Sequence, residues 1–247
     1  MKRTLLIDIS NSFTKAAIAT GPRIGRIHRI PTPELSPASL RALAGKTKLD
    51  SVFLSSVVPA KNSAVLSAFP HAVLIGSHLD LGVGIDYPNP ASIGADRLAN
   101  AAACAGFYGV PAIVVDFGTA VTFDVLSAKR AYIGGVIAPG LNAMTNYLHE
   151  KTALLPQVTL KEPKSAVGRS TRDAMLSGAV HGYRGLIREI LAQITAENFP
   201  GKKPVVVATG GDAKLIAGKL PLFDTVDPLL TLRGILLIAT KNDPSSF

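Results

Sequence analysis

The sequence predicts an α/β fold in which mixed sheets are flanked by helices and the chain is built from two related halves. Three observations predict it. Short apolar strand patterns alternate with helical ones along the chain, the signature of layered α/β architecture. A strand that ends in Asp and turns at once into another strand occurs twice, at residues 5–14 and 113–122. The 247 residues are 47% hydrophobic and only 17% charged. A chain of this size hides about 70–75% of its unfolded surface, and such a composition excludes disorder and collagen-like repetition.

In chain order, strand patterns cover 4–9, 12–19 and 23–30, a helix 37–44, a strand 51–56, a helix 59–69 and a strand 72–75. Pro88-Asn89-Pro90 then interrupts regular structure, because two prolines so close together remove donors and fix φ. An Ala-rich helix follows over 93–108. After Pro111 come strands at 112–115, 119–126 and 130–137, helices at 141–149 and 171–197, a strand at 205–208 and a helix after Gly211. The apolar stretch 229–240 closes the pattern. The boundary is expected between residues 109 and 110, giving lobes 1–109 and 110–247, with the last helix free to pack back on the first lobe.

The helix over 171–197 carries the clearest signals. Ser170-Thr171-Arg172-Asp173 reads as a capping box with Asp in place of Glu. Met175, Ala179, Tyr183, Leu186, Ile190 and Ile194 keep one apolar face at helical spacing. Gly178, Gly182 and Gly185 each cost about 1 kcal/mol of helix stability against Ala, so something is expected to approach closely there. Tight packing inside the monomer and a dimer contact both satisfy that.

Charge and composition narrow the function classes. The formal charge of +9, from 26 basic and 17 acidic residues, favours anionic partners. The basic residues are scattered, Trp is absent, and no basic stripe is studded with aromatic rings, so nucleic acid is disfavoured as the primary ligand. No apolar run approaches the ~20 residues of a membrane helix. The first residues meet Asp8 too early for a signal peptide, and a single cysteine, Cys104, permits no internal disulfide. The chain is expected to be a cytoplasmic, soluble protein with Cys104 as a small buried apolar residue.

The repeated strand-and-turn carries the chemistry. At 5–14 and at 113–122 an apolar strand delivers an Asp, one apolar residue and a small residue, then small or polar groups lead into the next strand. This puts a carboxylate at the mouth of a sheet, where small residues let backbone N–H groups approach an anion. Two copies suggest two lobes whose hairpins face a phosphate chain, the plan of the actin, hexokinase and Hsp70 ATPase folds. Residues 205–212 add a strand, the pair Gly210-Gly211 and a helix, which admit a flat ligand near the backbone. Other phosphate motifs fail. Gly45-Lys46-Thr47 lacks the earlier glycine of a P-loop, since residue 40 is Leu, and Gly82-Val83-Gly84 lacks a third glycine. The five histidines show no metal-ligand spacing, and there is no Gly-x-Ser-x-Gly elbow.

A second constellation is Tyr87 followed by Gly94-Ala95-Asp96-Arg97 at a helix start. An Asp in a first turn complements the helix dipole, whereas a neighbouring Arg there is unfavourable. The pair serves either as dipole chemistry alone or as an acid and a cation holding an anionic substrate and accepting its proton.

With residues 8–15, 94–97, 116–119 and 134–140 in hand, the chain resembles the type III pantothenate kinases. The likeness spans essentially the whole chain and includes Ser56-Val57-Val58-Pro59, residues 152–156 and Thr209-Gly210-Gly211. It implies a two-lobed ribonuclease-H-like fold, a homodimer with a shared active site, and phosphorylation of pantothenate by ATP to 4'-phosphopantothenate, the first step of coenzyme A synthesis. By position, it implies that residues 8–15 form the first phosphate loop, with Asp8 holding the magnesium ion of ATP and Ser10, Asn11, Ser12 and Lys15 at the phosphates. Asp96 is implied as general base, with Tyr87, Gly94, Ala95 and Arg97 lining the pantothenate pocket and Arg97 facing its carboxylate. Asp116 is implied as ligand of a monovalent cation, potassium or ammonium. Thr119, Gly210 and Gly211 would contact nucleotide, and Thr171 would reach pantothenate from the partner subunit.

The family's first loop reads Asp-x-Gly-Asn-Thr/Ser-x-x-Lys, whereas residue 10 here is Ser. If that position requires φ > 0, Ser strains the loop or weakens ATP binding. Two other readings follow. One is a different kinase or phosphatase of the same superfold, which would not need Gly94-Ala95-Asp96-Arg97 beside Tyr87. The other is a catalytically weak member acting as a regulatory or nucleic-acid-binding factor, with Ser10 as the lesion.

Overall fold

The computed structural model describes residues 1–242. Within them the chain divides into two units, one of residues 1–109, 130–133 and 229 onward, the other of residues 110–129 and 134–228.

The first unit begins with three strands, β1 (Arg3–Ile9), β2 (Phe13–Thr20) and β3 (Arg23–Pro31). Helix α1 (Pro37–Ala44), β4 (Ser51–Ser56), α2 (Pro59–Ala68) and the short β5 (Val73–Leu74) follow. The sheet order is β3-β2-β1-β4-β5. β1 pairs antiparallel with β2 and parallel with β4, and β2 pairs antiparallel with β3. β1 is buried from Thr4 to Ile9, because helices cover both faces and a doubly covered strand must be apolar throughout. Leu5, Ile7 and Ile9 pack with Leu54 on Leu40 of α1 and Val65 of α2.

Helix α1 starts where its sequence can cap it. Ser36 Oγ accepts from Ser39 N at 3.2 Å, Ser39 Oγ accepts from Ser36 N at 3.1 Å, and Pro37 occupies the first turn. Removing such a cap costs about 1 kcal/mol. On the other side of the sheet lie α3 (Ala95–Phe107) and α7 (Leu230–Lys241). The alanines of α3 let α7 approach until a Cβ on Gly234 would overlap the Ala99 carbonyl. Thr231 Oγ1 donates to the buried Asn100 Oδ1 at 2.9 Å between the same two helices. Cys104 is buried there and forms no disulfide among the described residues.

The second unit repeats the plan. Its strands are β7 (Ala112–Phe117), β8 (Ala120–Leu126), β9 (Ala131–Pro139), β10 (Val205–Gly210) and β11 (Thr225–Val226), in the order β9-β8-β7-β10-β11. The first residues of β9, 131–133, belong to the first unit, where Ala131 and Tyr132 pair with β6 (Gly84–Ile85). β7 pairs antiparallel with β8 and parallel with β10. Helices α4 (Leu141–Lys151), α5 (Thr171–Asn198) and α6 (Ala213–Ala217) complete the unit. Both units therefore use one strand order. Asp8 in β1 lies opposite Lys15 and Ser55, and Asp116 in β7 lies opposite Thr122 and Thr209.

Two expectations for α5 need correction. Ser170 does cap the helix, accepting from Asp173 N at 3.2 Å, but the reciprocal bond of a capping box is replaced. Ser170 Oγ donates to the Asp173 carboxylate at 2.7 Å instead. Aspartate is one methylene shorter than the Glu of a full box, so its carboxylate meets the hydroxyl rather than the Ser170 N–H. The three glycines are not packing points inside the chain either. A Cβ on Gly178, Gly182 or Gly185 would meet nothing within 4 Å.

Candidate active site

The first strand-and-turn delivers Asp8 at the end of β1, where its residue is 3% exposed. Cross-strand pairing places it in register with Lys15 of β2 on one side and Ser55 of β4 on the other. Directly paired residues share a face of the sheet, so Lys15 and Ser55 leave the sheet on the same side as the carboxylate. Ser55 is fully buried, and its Oγ has no hydrogen-bond partner among the described residues.

Beyond Ile9 the chain turns through Ser10, Asn11 and Ser12 into β2. Ser10 N donates to Phe13 O at 3.3 Å, and Thr32 supports the turn from β3's end. Its Oγ1 donates to Ser10 O at 2.7 Å and its N to Ser12 O at 3.1 Å. Ser10 is not in the left-handed region, since Arg130 is the one non-glycine residue with positive φ among the described residues. The strain that Ser would suffer at a glycine-only position is absent. Asn11 and Ser12 stand exposed at the tip.

The second constellation is built at the start of α3. Gly94 is its N-cap, and Asp96 lies in the first turn. The Asp96 carboxylate folds back over Gly94, where an added Cβ would stand 2.6 Å from Asp96 Oδ1. The same oxygen accepts from Arg97 N at 2.8 Å, so a helix-start amide holds the carboxylate, as the dipole favours. Arg97 carries its guanidinium 5.7 Å from the centre of the Tyr132 ring, and Tyr87 packs edge-on against that ring at 6.0 Å. The structure thus joins Tyr87 and Arg97 through Tyr132, which the sequence did not single out. The link is the two-residue strand β6, whose Ile85 pairs with Tyr132. Two residues carry no periodicity, so nothing in the sequence announced it. A cavity of about 440 Å³ opens at this helix start, lined by Ser56, Val57, Ser77, His78, Gly94 and Ala95 among others.

In the second unit, Asp116 occupies the matching place near the end of β7. The turn after it is tight, with Gly118 N donating to Ala120 O at 3.0 Å and Gly140 N to Thr119 O at 3.1 Å. Gly140 presses on the Gly118 and Thr119 carbonyls so closely that a Cβ would overlap both. Gly210 has φ +95°, and a Cβ there would stand 2.5 Å from both Asp116 Oδ1 and Phe117 O. Only glycine fits that position. Gly211 and Thr119 are exposed. Asp212 N donates to Phe117 O at 3.3 Å, and burial raises the Asp212 carboxyl above its ordinary range. Burial, then the nearby Asp212 charge, pushes the Tyr183 phenol up as well. Thr171 is the exposed first residue of α5, directly after its Ser170 cap.

Oxygen donors gather near both aspartates. Among the described residues no group of three His, Cys, Asp or Glu gathers as a metal site. Magnesium, however, is held by one or two carboxylates with water and phosphate oxygens. Asp8 beside the orphaned Ser55 hydroxyl fits that. Around Gly210, the Asp116 carboxylate oxygen and the Phe117 main-chain carbonyl lie close together, both hard oxygen donors.

Comparison with known proteins gives the family and the fold. The type III pantothenate kinase family matches residues 4–193. A type III pantothenate kinase of Methylacidiphilum infernorum is 46% identical over 95% of this chain and 87% of its own length. One from Akkermansia muciniphila is 48% identical over 96% and 98%. Among solved structures, a Campylobacter jejuni protein described under the Baf family of transcriptional activators superposes with a TM-score of 0.64. It covers 96% of this chain and 98% of its own at 23% identity, which speaks to fold alone. The strand order of each unit and these matches assign the ribonuclease-H-like class of the actin, hexokinase and Hsp70 ATPase folds. On sequence and fold together, the chain belongs to the type III pantothenate kinase family.

Proposed function

We propose that this chain transfers the γ-phosphoryl group of ATP to the hydroxyl of pantothenate, giving 4'-phosphopantothenate and ADP. The observation that carries the reading is the start of α3. There the Asp96 carboxylate lies folded over Gly94 beside Arg97 and the Tyr87–Tyr132 pair, in a chain 46–48% identical to two named type III pantothenate kinases.

Phosphoryl transfer passes through a loose, charge-spread transition state, so the protein mainly positions and neutralises. The pantothenate oxygen attacks the γ-phosphorus, the bond to the bridging oxygen of ADP breaks, and the hydroxyl proton passes to Asp96. An ordinary aspartate is a weak base, at about 3.9. Asp96 therefore receives the proton late and contributes chiefly by orienting the attacking oxygen. Arg97 holds the pantothenate carboxylate, with Tyr87, Gly94 and Ala95 around the substrate. Lys15, the Ser10 turn and the amides of Asn11 and Ser12 neutralise phosphate oxygens, while Thr119, Gly210 and Gly211 contact the nucleotide. Magnesium at Asp8 and potassium or ammonium at Asp116 would supply further positive charge to the phosphates.

The working form is read as a homodimer in which Thr171 reaches the partner's pantothenate. Supporting this, a Cβ on Gly178, Gly182 or Gly185 of α5 would meet nothing within 4 Å among the described residues, and Ile137, Tyr147 and Val167 of the same unit are 64%, 63% and 77% exposed. Among the described residues no helix is long and apolar enough to cross a membrane, and the reaction is assigned to the cytoplasm. The reading of a catalytically silent regulator rested on strain at Ser10, and the loop conformation lends it no support.

The test is a coupled assay for ADP release that depends on pantothenate, run with and without potassium. Turnover that requires pantothenate and rises with potassium supports the reading. ADP release indifferent to pantothenate removes it.

A further inference from the structure

We propose that Arg184 is a positioning residue that couples the Gly210-Gly211 turn to the 152–170 loop leading into Thr171. The inference rests on the nucleotide and pantothenate roles assigned above to those two elements.

Arg184 lies in the middle of α5, and its residue is only 7% exposed. Its guanidinium makes bonds in two directions. Toward the loop it holds Glu162 in a fork, Nη1 to Oε1 at 3.0 Å and Nη2 to Oε2 at 2.7 Å. Toward α6 it donates through Nη2 to Leu215 O at 2.7 Å and through Nε to Ile216 O at 3.4 Å. α6 follows the Gly210-Gly211 turn after a single residue, Asp212. One planar group therefore grips the element behind the nucleotide turn and the loop ahead of Thr171.

Other bonds hold the loop, but to α5 itself. Arg172 Nη1 donates to Gln157 O at 2.8 Å and Ser177 Oγ to Ala166 O at 2.6 Å. Gly168 lies so close to the first turn of α5 that a Cβ would overlap the Ala174 N–H. Of Arg172, Ser177 and Arg184, the last is the one that also reaches α6.

Burying a guanidinium is costly, and a buried ion pair is weak support for stability, since apolar replacements of similar size often serve as well. What the fork supplies is geometry. Five donors in a fixed plane tie two segments at set angles, which a lysine ammonium cannot do. A shift of α6 when nucleotide binds then moves the same group that holds Glu162. Glu162 lies eight residues before the Ser170 cap, and the intervening loop packs on the first turn of α5, so the disturbance reaches the start of that helix.

The experiment is hydrogen exchange on the full-length protein, with and without a β,γ-imido analogue of ATP and magnesium. Wild type is compared with Arg184→Lys and Glu162→Gln. In wild type the analogue is expected to slow exchange both at 205–217 and at 156–170, the latter by roughly fivefold, the lower end of ordinary coupling between sites. In Arg184→Lys the protection at 205–217 persists while that at 156–170 is lost, and Glu162→Gln, which keeps shape and removes charge, behaves likewise. Protection confined to 205–217 in wild type overturns the coupling and leaves the nucleotide reading intact. Equal loop protection in wild type and both variants overturns it too. Absence of protection at 205–217 in wild type defeats the nucleotide reading, and this inference with it.

Discussion

The Asp96 carboxylate is folded over the Cα of Gly94, so close that a methyl group on residue 94 would stand 2.6 Å from Oδ1. The glycine is there for the carboxylate's sake, because its backbone, at φ −57° and ψ 140°, is open to any residue. Gly94→Ala is expected to push Asp96 aside and lower kcat with little loss of stability. Asp96→Asn should cost roughly 10²–10⁴ in kcat while the melting temperature holds. Steady-state kinetics beside thermal unfolding checks both, and an asparagine variant with near wild-type turnover takes Asp96 out of the mechanism.

At the other turn the constraint is doubled. Gly210 combines φ +95° with a 2.5 Å approach to Asp116 Oδ1. Gly210→Ala should destabilise the fold by more than about 1 kcal/mol, since a left-handed backbone and a clash act together. Asp116→Ala relieves crowding instead, and is expected to lose activity and potassium response together. Potassium titration of the residual rate decides it. A normal potassium curve in the Asp116 variant contradicts the assignment.

Acid stability should expose the Glu162 fork. The Arg184 hydrogen bond, with its charge second to burial's opposing effect, holds the Glu162 carboxyl below its ordinary 4.5. Asp224 is lowered in the same direction by the Val206 N–H, with Lys203 contributing. A depressed folded pKa gives stability that is present above the unfolded value and lost as pH falls through the folded one. Melting temperature is therefore expected to decline from about pH 4.5 downward, and Glu162→Gln should flatten part of that slope. Asp212 works with the opposite sign. Its raised carboxyl favours the folded state at acid pH, so Asp212→Asn should be neutral or stabilising at pH 7.

The bare face of α5 predicts its own phenotype. Gly182→Arg places a long cation where nothing lies within 4 Å in the chain, so the monomer should fold unaltered. If copies associate there, light scattering will show dissociation, and activity will fall with it. A variant that scatters and turns over like wild type would free this face of any role in assembly.

Much of the fold was legible because its strands are doubly buried or end at strong punctuation. The runs at 4–9, 51–56 and 112–115 are apolar for lack of any wet face, and each reappears as β1, β4 or β7. The Asp8 and Asp116 turns could be read because small residues must follow such carboxylates. β6 and β11 escaped, since two residues have no pattern to detect, and with β6 went Tyr132. Arg184 and Glu162 escaped for a different reason. A buried Arg reads in sequence as an exposed one, and its partner 22 residues away in a loop announces nothing. The glycines of α5 were noticed for the right property, and of the two occupants offered the structure removes packing within the chain, because a missing side chain shows that room exists but not who fills it.

The matching strand order has a chemical corollary. Both halves present an aspartate at the same node of the same lattice, yet the flanking nodes carry Lys15 and Ser55 in one and Thr122 and Thr209 in the other. On the cation roles proposed for Asp8 and Asp116, those four lateral side chains are the ones that would set which ion each aspartate prefers.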